Sequence, residues 1–214
     1  LPFYGSHDST RKIKQQLTWH EDIKDLVWVR LVREKILNQA CVLKTSNREM
    51  AHKLEGYAAE VVLKDATNRE AHAAKVYFNA LFGSSFTRKS ESPINVALNY
   101  GYSIILSAIN REVATSGYLT QLGIFHDNVF NQFNFSSDLI EPLRPMIDRE
   151  VASWGSFTTF SSTEKMKLVD LLNQTVIVVN KRYHFAQALE IYCKSVFDAL
   201  SERDISLMKS IEYG

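Results

Sequence analysis

Glu70, His126 and Glu141 are the side chains of this chain best suited to chemistry. They stand in three distinctive phrases, Thr67-Asn-Arg-Glu-Ala-His-Ala-Ala-Lys-Val-Tyr-Phe78, Gly123-Ile-Phe-His-Asp-Asn128 and Asp138-Leu-Ile-Glu-Pro-Leu-Arg-Pro145. Two carboxylates and one imidazole form a hard, oxygen-rich ligand set that suits Mg²⁺ or Mn²⁺, ions that polarise phosphates. Converging in space, they would make a metal-dependent enzyme acting on phosphodiesters. Held apart, they would be polar groups of a helical domain.

Each residue also has a plainer reading. Glu70 closes a capping box begun at Thr67, in which the third helical residue bonds back to the cap. Equally, it lines up with Ala74, Tyr77 and Leu81 on a stripe that looks buried, where a carboxylate needs a partner or a cation. A lone histidine such as His126, in a loop with Phe125, Phe130, Phe133 and Phe135, is ordinarily a satisfied core or surface residue. As a ligand it would need an orienting acceptor, for which Asp127 and Asn128 are the near candidates. Asp138 and Glu141, three apart, would share one helix face, but acidic residues and Pro142 also favour a helix start for dipole and backbone reasons alone. Pro142 and Pro145 around Arg144 predict a kinked opening. His7, His20, His52, His72 and His184 show no ligand spacing with one another, and no zinc-type His-Glu-x-x-His, phosphate loop or nucleophile elbow occurs.

The elements that must position these residues read as mostly helix. At 214 residues and 45% hydrophobic the chain can bury a full core. Its 8 glycines and 4 prolines are too few for the turns of an all-β fold. The expected fold is mainly α, a helical bundle with a small β-hairpin near residues 175–185. Residues 1–18 read as a lead-in, the first ten of them irregular, and residues 19–214 as the helical domain. Ile23, Leu26, Val27, Arg30, Leu31, Glu34, Ile36 and Leu37 outline a long helix from about Trp19 to Thr45. Another is expected from Ser46 to about Leu63, and a third opens near Thr67. The segment from Asn95 to Ser116 is apolar almost all round, which belongs at the centre of a bundle. Gly117 stops it, and a loop carrying His126 follows, with helix resuming near Ser137. Thr175-Val-Ile-Val-Val179 and Tyr183-His-Phe185 read as paired strands around Asn180-Lys-Arg182, before a last helix from about Ala186 to Leu207.

Net charge is +1, which neither demands nor excludes nucleic acid, because local clusters decide. Candidate clusters are Arg11, Lys12 and Lys14; Arg88 and Lys89; Arg144 and Arg149; Lys165 and Lys167; and Lys181 with Arg182. Cys41 and Cys193 make no disulfide framework or zinc motif and read as two buried free thiols, consistent with a reducing cytoplasm. No apolar run reaches the ~18 residues of a membrane span.

Four phrases taken together, Glu-Ala-His-Ala-Ala-Lys-Val-Tyr-Phe (70–78), Asn-Tyr-Gly-Tyr-Ser-Ile-Ile-Leu (99–106), His126 to Phe135, and Ser-Asp-Leu-Ile-Glu-Pro-Leu-Arg-Pro (137–145), closely resemble the CRISPR-associated adaptation integrase. The nearest likeness is to the version from systems with a single large RNA-guided nuclease. The resemblance implies that Glu70, His126 and Glu141 are the ligands of one Mg²⁺ or Mn²⁺, with Asp138 an auxiliary acidic position. It also implies that Tyr100 and Tyr102 lie in a motif lining the catalytic cleft, and that Arg144 is suited to a DNA phosphate.

It further implies a bacterial, cytoplasmic endonuclease and integrase that joins the 3′-hydroxyl of a short DNA duplex to a phosphodiester at a repeat array. Complete members begin with a β-rich domain that builds the homodimer and contacts a small ferredoxin-like subunit; residues 1–18 would be the lead-in from it. A non-catalytic helical module that binds DNA without cutting it is the rival reading. A di-iron carboxylate bundle is set aside, because no Glu-x-x-His pair occurs.

Overall fold

Helix α2, Glu21–Leu43, shows how these residues build the frame. Ile23, Val27, Leu31, Ile36, Ala40 and Leu43 recur at spacings of three to five and are all buried. Two polar residues, Lys35 and Gln39, sit on that same face and are buried with it. Leu26 and Leu37, which spacing alone assigns to the apolar face, are exposed.

The computed structural model describes residues 8–63 and 67–213. Along them run α1 (Ser9–Leu17), α2, α3 (Arg48–Ala59), α4 (Arg69–Phe82), α5 (Pro93–Thr115), α6 (Asn134–Leu139), α7 (Arg144–Ser153), α8 (Ser162–Asp170), β1 (Thr175–Val178), β2 (Lys181–His184) and α9 (Phe185–Glu202). The fold class is mainly α with one small hairpin, as expected. Residues 9–17, read from sequence as part of the lead-in, form α1, while residues 1–7 of that lead-in lie outside the described residues. No helix is long and apolar enough to cross a membrane among the described residues.

The chain divides into two compact units, one of Leu1–Trp28, Ile105–Ile140 and Leu172–Gly214, the other of Val29–Ile104 and Glu141–Leu171. Helices α2 and α5 contribute residues to both.

In the first unit the hairpin pairs Thr175 with His184 through Val178 with Lys181, antiparallel, and packs on α9. Val179 and Asn180, both at positive φ, make the turn. This is the two-residue loop that matches strand twist, so Lys181 and Arg182, expected in the turn, belong to β2. Trp19, Tyr118, Phe135 and Phe197 form a ring cluster with centroids 4.8 to 5.6 Å apart.

In the second unit α3 lies against α4. Asn47 caps α3 by accepting the Met50 N–H at 3.2 Å. The loop before α5 is tied down by buried Asn95, whose amide donates to the Thr87 and Ser90 carbonyls at 2.8 Å. Helix α5 is less central than its composition suggests: Ala97, Leu98, Tyr102, Ile105, Ile109 and Val113 are buried, but Val96 is 52% exposed.

The segment around Glu141 is not one helix. Helix α6 ends at Leu139, a 3₁₀ turn spans Glu141–Leu143, and α7 begins at Arg144 with a proline in its first turn. Pro142 has no N–H to give the helix ladder and Pro145 suits a helix start, so the chain must break between them. Cys193 is buried as expected, whereas Cys41 is exposed.

Candidate active site

Within the second unit, Lys35 stands between two carboxylates. Its ammonium donates to Glu70 Oε1 at 2.6 Å and to Glu141 Oε2 at 2.5 Å. Glu141 is completed by Arg144, whose Nε donates to Oε1 at 2.8 Å. Glu70 reaches this position from the first turn of α4, where Asn68 is the cap and makes no side-chain bond. Of the stripe it shares with Ala74, Tyr77 and Leu81, only Tyr77 is fully buried, and Glu70 itself is half-buried with Lys35 as its cationic partner. Glu141 enters from the 3₁₀ turn that Pro142 imposes, and Asn38 of α2 fastens that turn by donating to the Pro142 carbonyl at 2.8 Å.

Burial alone would push the Glu141 carboxyl up, but the Lys35 and Arg144 charges outweigh it and hold it down at about 2. Burial would pull the Lys35 ammonium down, and the charges of Glu141 and Glu70 reverse that to a net rise. The pair is therefore ionised, a carboxylate cluster neutralised from within.

These residues open on a cavity of about 260 Å³ that Gln39, Phe78, Arg88, Tyr102 and Asp148 also line. Arg144 lies over the Tyr102 ring at 4.7 Å and Arg88 at 5.4 Å, so two guanidinium groups face one aromatic. Arg88 is fixed by Asn95 and Asn99, at 2.5 and 2.6 Å. The buried Tyr102 hydroxyl donates to Asp148, so its polar tip is spoken for. Burial lifts Asp148 to about 6 against the hydrogen bond from Tyr102 and the charges of Arg144 and Arg88. Tyr100, its partner in the motif, does not line this cavity; it packs edge-on to Phe160, with Lys165 nearby.

His126 belongs to the first unit, and its loop is held with equal care. Asp138, fully buried, accepts the backbone N–H groups of Ile124, Phe125 and His126 at 2.6, 3.2 and 3.1 Å. It also takes His126 Nδ1 at 2.6 Å. A proton on Nδ1 puts the imidazole lone pair on Nε2, the tautomer a metal ligand needs. Asp138 rather than Asp127 or Asn128 is thus the orienter, and its carboxylate is committed to this loop. Gly123 permits the arrangement, for a Cβ there would meet the His126 carbonyl at 2.2 Å and Asp138 Oδ2 at 2.9 Å. Phe125 stacks flat on Trp28 at 4.2 Å, and His126 meets the same indole edge-on.

A divalent ion finds suitable donors here. Lys35 already acts as a stand-in cation, with carboxylate oxygens of Glu70 and Glu141 both within 2.6 Å of its nitrogen. Gln39 Oε1, buried on the same cavity, has no hydrogen-bond partner. Among the described residues, however, no three His, Cys, Asp or Glu side chains stand together as a ready ligand group. Lys35, Gln39 and Asp148 escaped the sequence reading, and Arg88 entered it only as half of a basic cluster with Lys89. The one signal for Lys35 and Gln39 was their place four and eight residues after Leu31, on the buried face of α2.

Comparison with known proteins places the chain in a family. The protein-family model described as CRISPR associated protein Cas1 matches residues 3–160. The CRISPR-associated endonuclease Cas1 of Neisseria meningitidis is 44% identical over 152 residues, covering 71% of this chain and 50% of the relative. A Thermus thermophilus counterpart is 30% identical over 93 residues, 39% of this chain and 30% of its own. The chain thus spans about half or less of the length of these relatives. Among solved structures, a casposase bound to integration product superposes with a TM-score of 0.74 at 16% identity, covering 92% of this chain and 70% of that one. A Cas1 protein from Thermotoga maritima gives 0.68 at 15%, over 90% and 69% of the two chains. The latter two establish the fold. With the family model matched over well more than half of its residues, this chain belongs to the Cas1 family of CRISPR-associated proteins.

Proposed function

We propose that this chain carries the catalytic helical domain of a divalent-metal-dependent DNA endonuclease and integrase, which inserts short duplexes into a CRISPR repeat array. The observation that carries the reading is that Glu70 and Glu141, the latter buried and held ionised, are gathered on one cation beside two arginines. Glu70 and Glu141 would hold Mg²⁺ or Mn²⁺, and the family resemblance makes His126 the third ligand. When bound, such an ion polarises the scissile phosphodiester and favours the attacking alkoxide.

The rest falls to the chain's own side chains. In the transesterification the 3′-oxygen of the incoming strand bonds to phosphorus, and the bond to the 3′-oxygen of the cut strand breaks. The proton lost by the first hydroxyl is matched by the one the second regains, and no covalent enzyme intermediate forms. Such chemistry asks the protein for positioning and charge neutralisation. Arg144 and Arg88 supply positive charge over the cavity, and Tyr102, braced by Asp148, fixes where Arg144 lies. Asp138 keeps the His126 tautomer.

Double-stranded DNA is the proposed substrate and partner. In favour stand the relatives named endonucleases, the casposase solved on an integration product, and a Cas6-RT-Cas1–Cas2 complex whose fold matches at a TM-score of 0.77 and 17% identity. That complex covers 95% of this chain, which spans 27% of it. The homodimer and the small ferredoxin-like subunit follow from the family resemblance, as does a bacterial cytoplasm.

Glu141→Ala should reduce Mn²⁺-dependent strand transfer of a labelled duplex by at least ~10²-fold while the circular dichroism spectrum stays helical. Retained transfer would remove Glu141 from the chemistry. His126→Ala should weaken Mn²⁺ in calorimetry by on the order of tenfold or more. An unchanged titration would favour the second reading, a helical module that binds DNA without cutting it.

A further inference from the structure

Lys35 occupies a place that nothing in the proposed chemistry assigns to it. It comes from the buried face of α2, its side chain is 11% exposed, and its nitrogen lies 2.6 Å from Glu70 and 2.5 Å from Glu141. Those are the oxygens a dication would use, at ligand distances of ~2.0–2.6 Å. An ammonium and a metal ion cannot both stand there, since each would lie inside the other's contact distance and repel it.

One turn further along α2, Gln39 lines the same cavity. That residue is 2% exposed and its Oε1 has no hydrogen-bond partner, an acceptor left over by a site that the lysine only partly satisfies. The cavity, about 260 Å³, has room for a hydrated ion and for a displaced ammonium.

We infer that Lys35 is the resident counter-ion of the metal site: it holds Glu70 and Glu141 together when no dication is present, and an arriving dication displaces its ammonium into the cavity. The inference rests on the reading of the two glutamates as ligands. Lys35 lets the buried Glu141 carboxylate and the half-buried Glu70 carboxylate stand together in the metal-free pocket without repelling each other. The displaced ammonium, beside Arg88 and Arg144, is then available to an anionic group such as a DNA phosphate.

Calorimetry with Mn²⁺ alone, on the wild type and on Lys35→Gln, tests the competition. Wild-type protein should bind, and the variant should bind on the order of tenfold more tightly or better. Equal or weaker binding by the variant overturns the inference. No binding by the wild type would instead overturn the ligand reading beneath it. Where the variant does not fold without metal, amine acetylation of the wild type read by mass spectrometry decides. Lys35 should be modified several times faster once Mn²⁺ is added, and an unchanged or slower rate would overturn displacement.

Discussion

A carboxylate deep in a protein persists as an anion only where something positive meets it, and the two buried acids of this cavity show both outcomes. Glu141 meets Lys35 and Arg144 and stays ionised. Asp148 meets the Tyr102 hydroxyl and more distant guanidinium groups, and burial prevails, raising it to about 6 from an ordinary 3.8. A raised folded value means stability that is full below about 3.8 and lost as pH climbs through about 6, on the order of 3 kcal/mol. Asp148→Asn keeps the acceptor for Tyr102 and removes the titration. The variant should therefore lose most of the wild-type decline between pH 4 and 7, measured by urea unfolding. A decline of the same size in both proteins would refute the assignment. This balance was invisible in the sequence. Asp148 sits in an ordinary helical phrase, where an aspartate reads as a solvated face, and Lys35 is marked only by its place on the apolar stripe of α2. Only tertiary packing, which seals both in, makes them part of the site.

At the scale of elements, the phrases that carried the sequence reading are the ones that build hinges and close approaches. Asn-Tyr-Gly-Tyr places Gly101 on α5 where a Cβ would lie 2.5 Å from Ile147 Cγ2 on α7. Gly101→Ala should destabilise the protein by ~1–3 kcal/mol, and Ile147→Ala in the same chain should recover part of the loss. Additive losses in thermal unfolding would show that the two helices do not meet there. Most of the longer helices were legible from apolar spacing, as were the hairpin and the break at Pro142, whereas α1 was read as lead-in and α8 was not foreseen. The break was legible because a missing N–H is a local fact. Less legible was what each element would grip. Spacing placed Asp138 and Glu141 on one helix face, yet the 3₁₀ turn separates their tasks, one clamping the His126 loop and the other meeting Lys35. The orienter of His126 lies twelve residues away rather than next door, and no periodicity reports that.

For the whole molecule, near-neutrality hides an uneven distribution. Lys165 and Lys167 project from α8 beside Tyr100, Phe160 and Trp154, a surface where cations and rings alternate. On the proposed reading such a face holds DNA backbone, so duplex affinity should fall by a factor on the order of 10³ between about 50 and 200 mM salt. A flat response in fluorescence anisotropy would speak against phosphate contacts. The two thiols have a practical corollary. Cys193 is buried and burial drives its ionisation far upward, while Cys41 is open to solvent at the outer side of the helix that presents Lys35 and Gln39 inward. Maleimide chemistry would thus tag the native protein once, two residues from the cavity wall. A dye attached there would watch the site without any engineered cysteine.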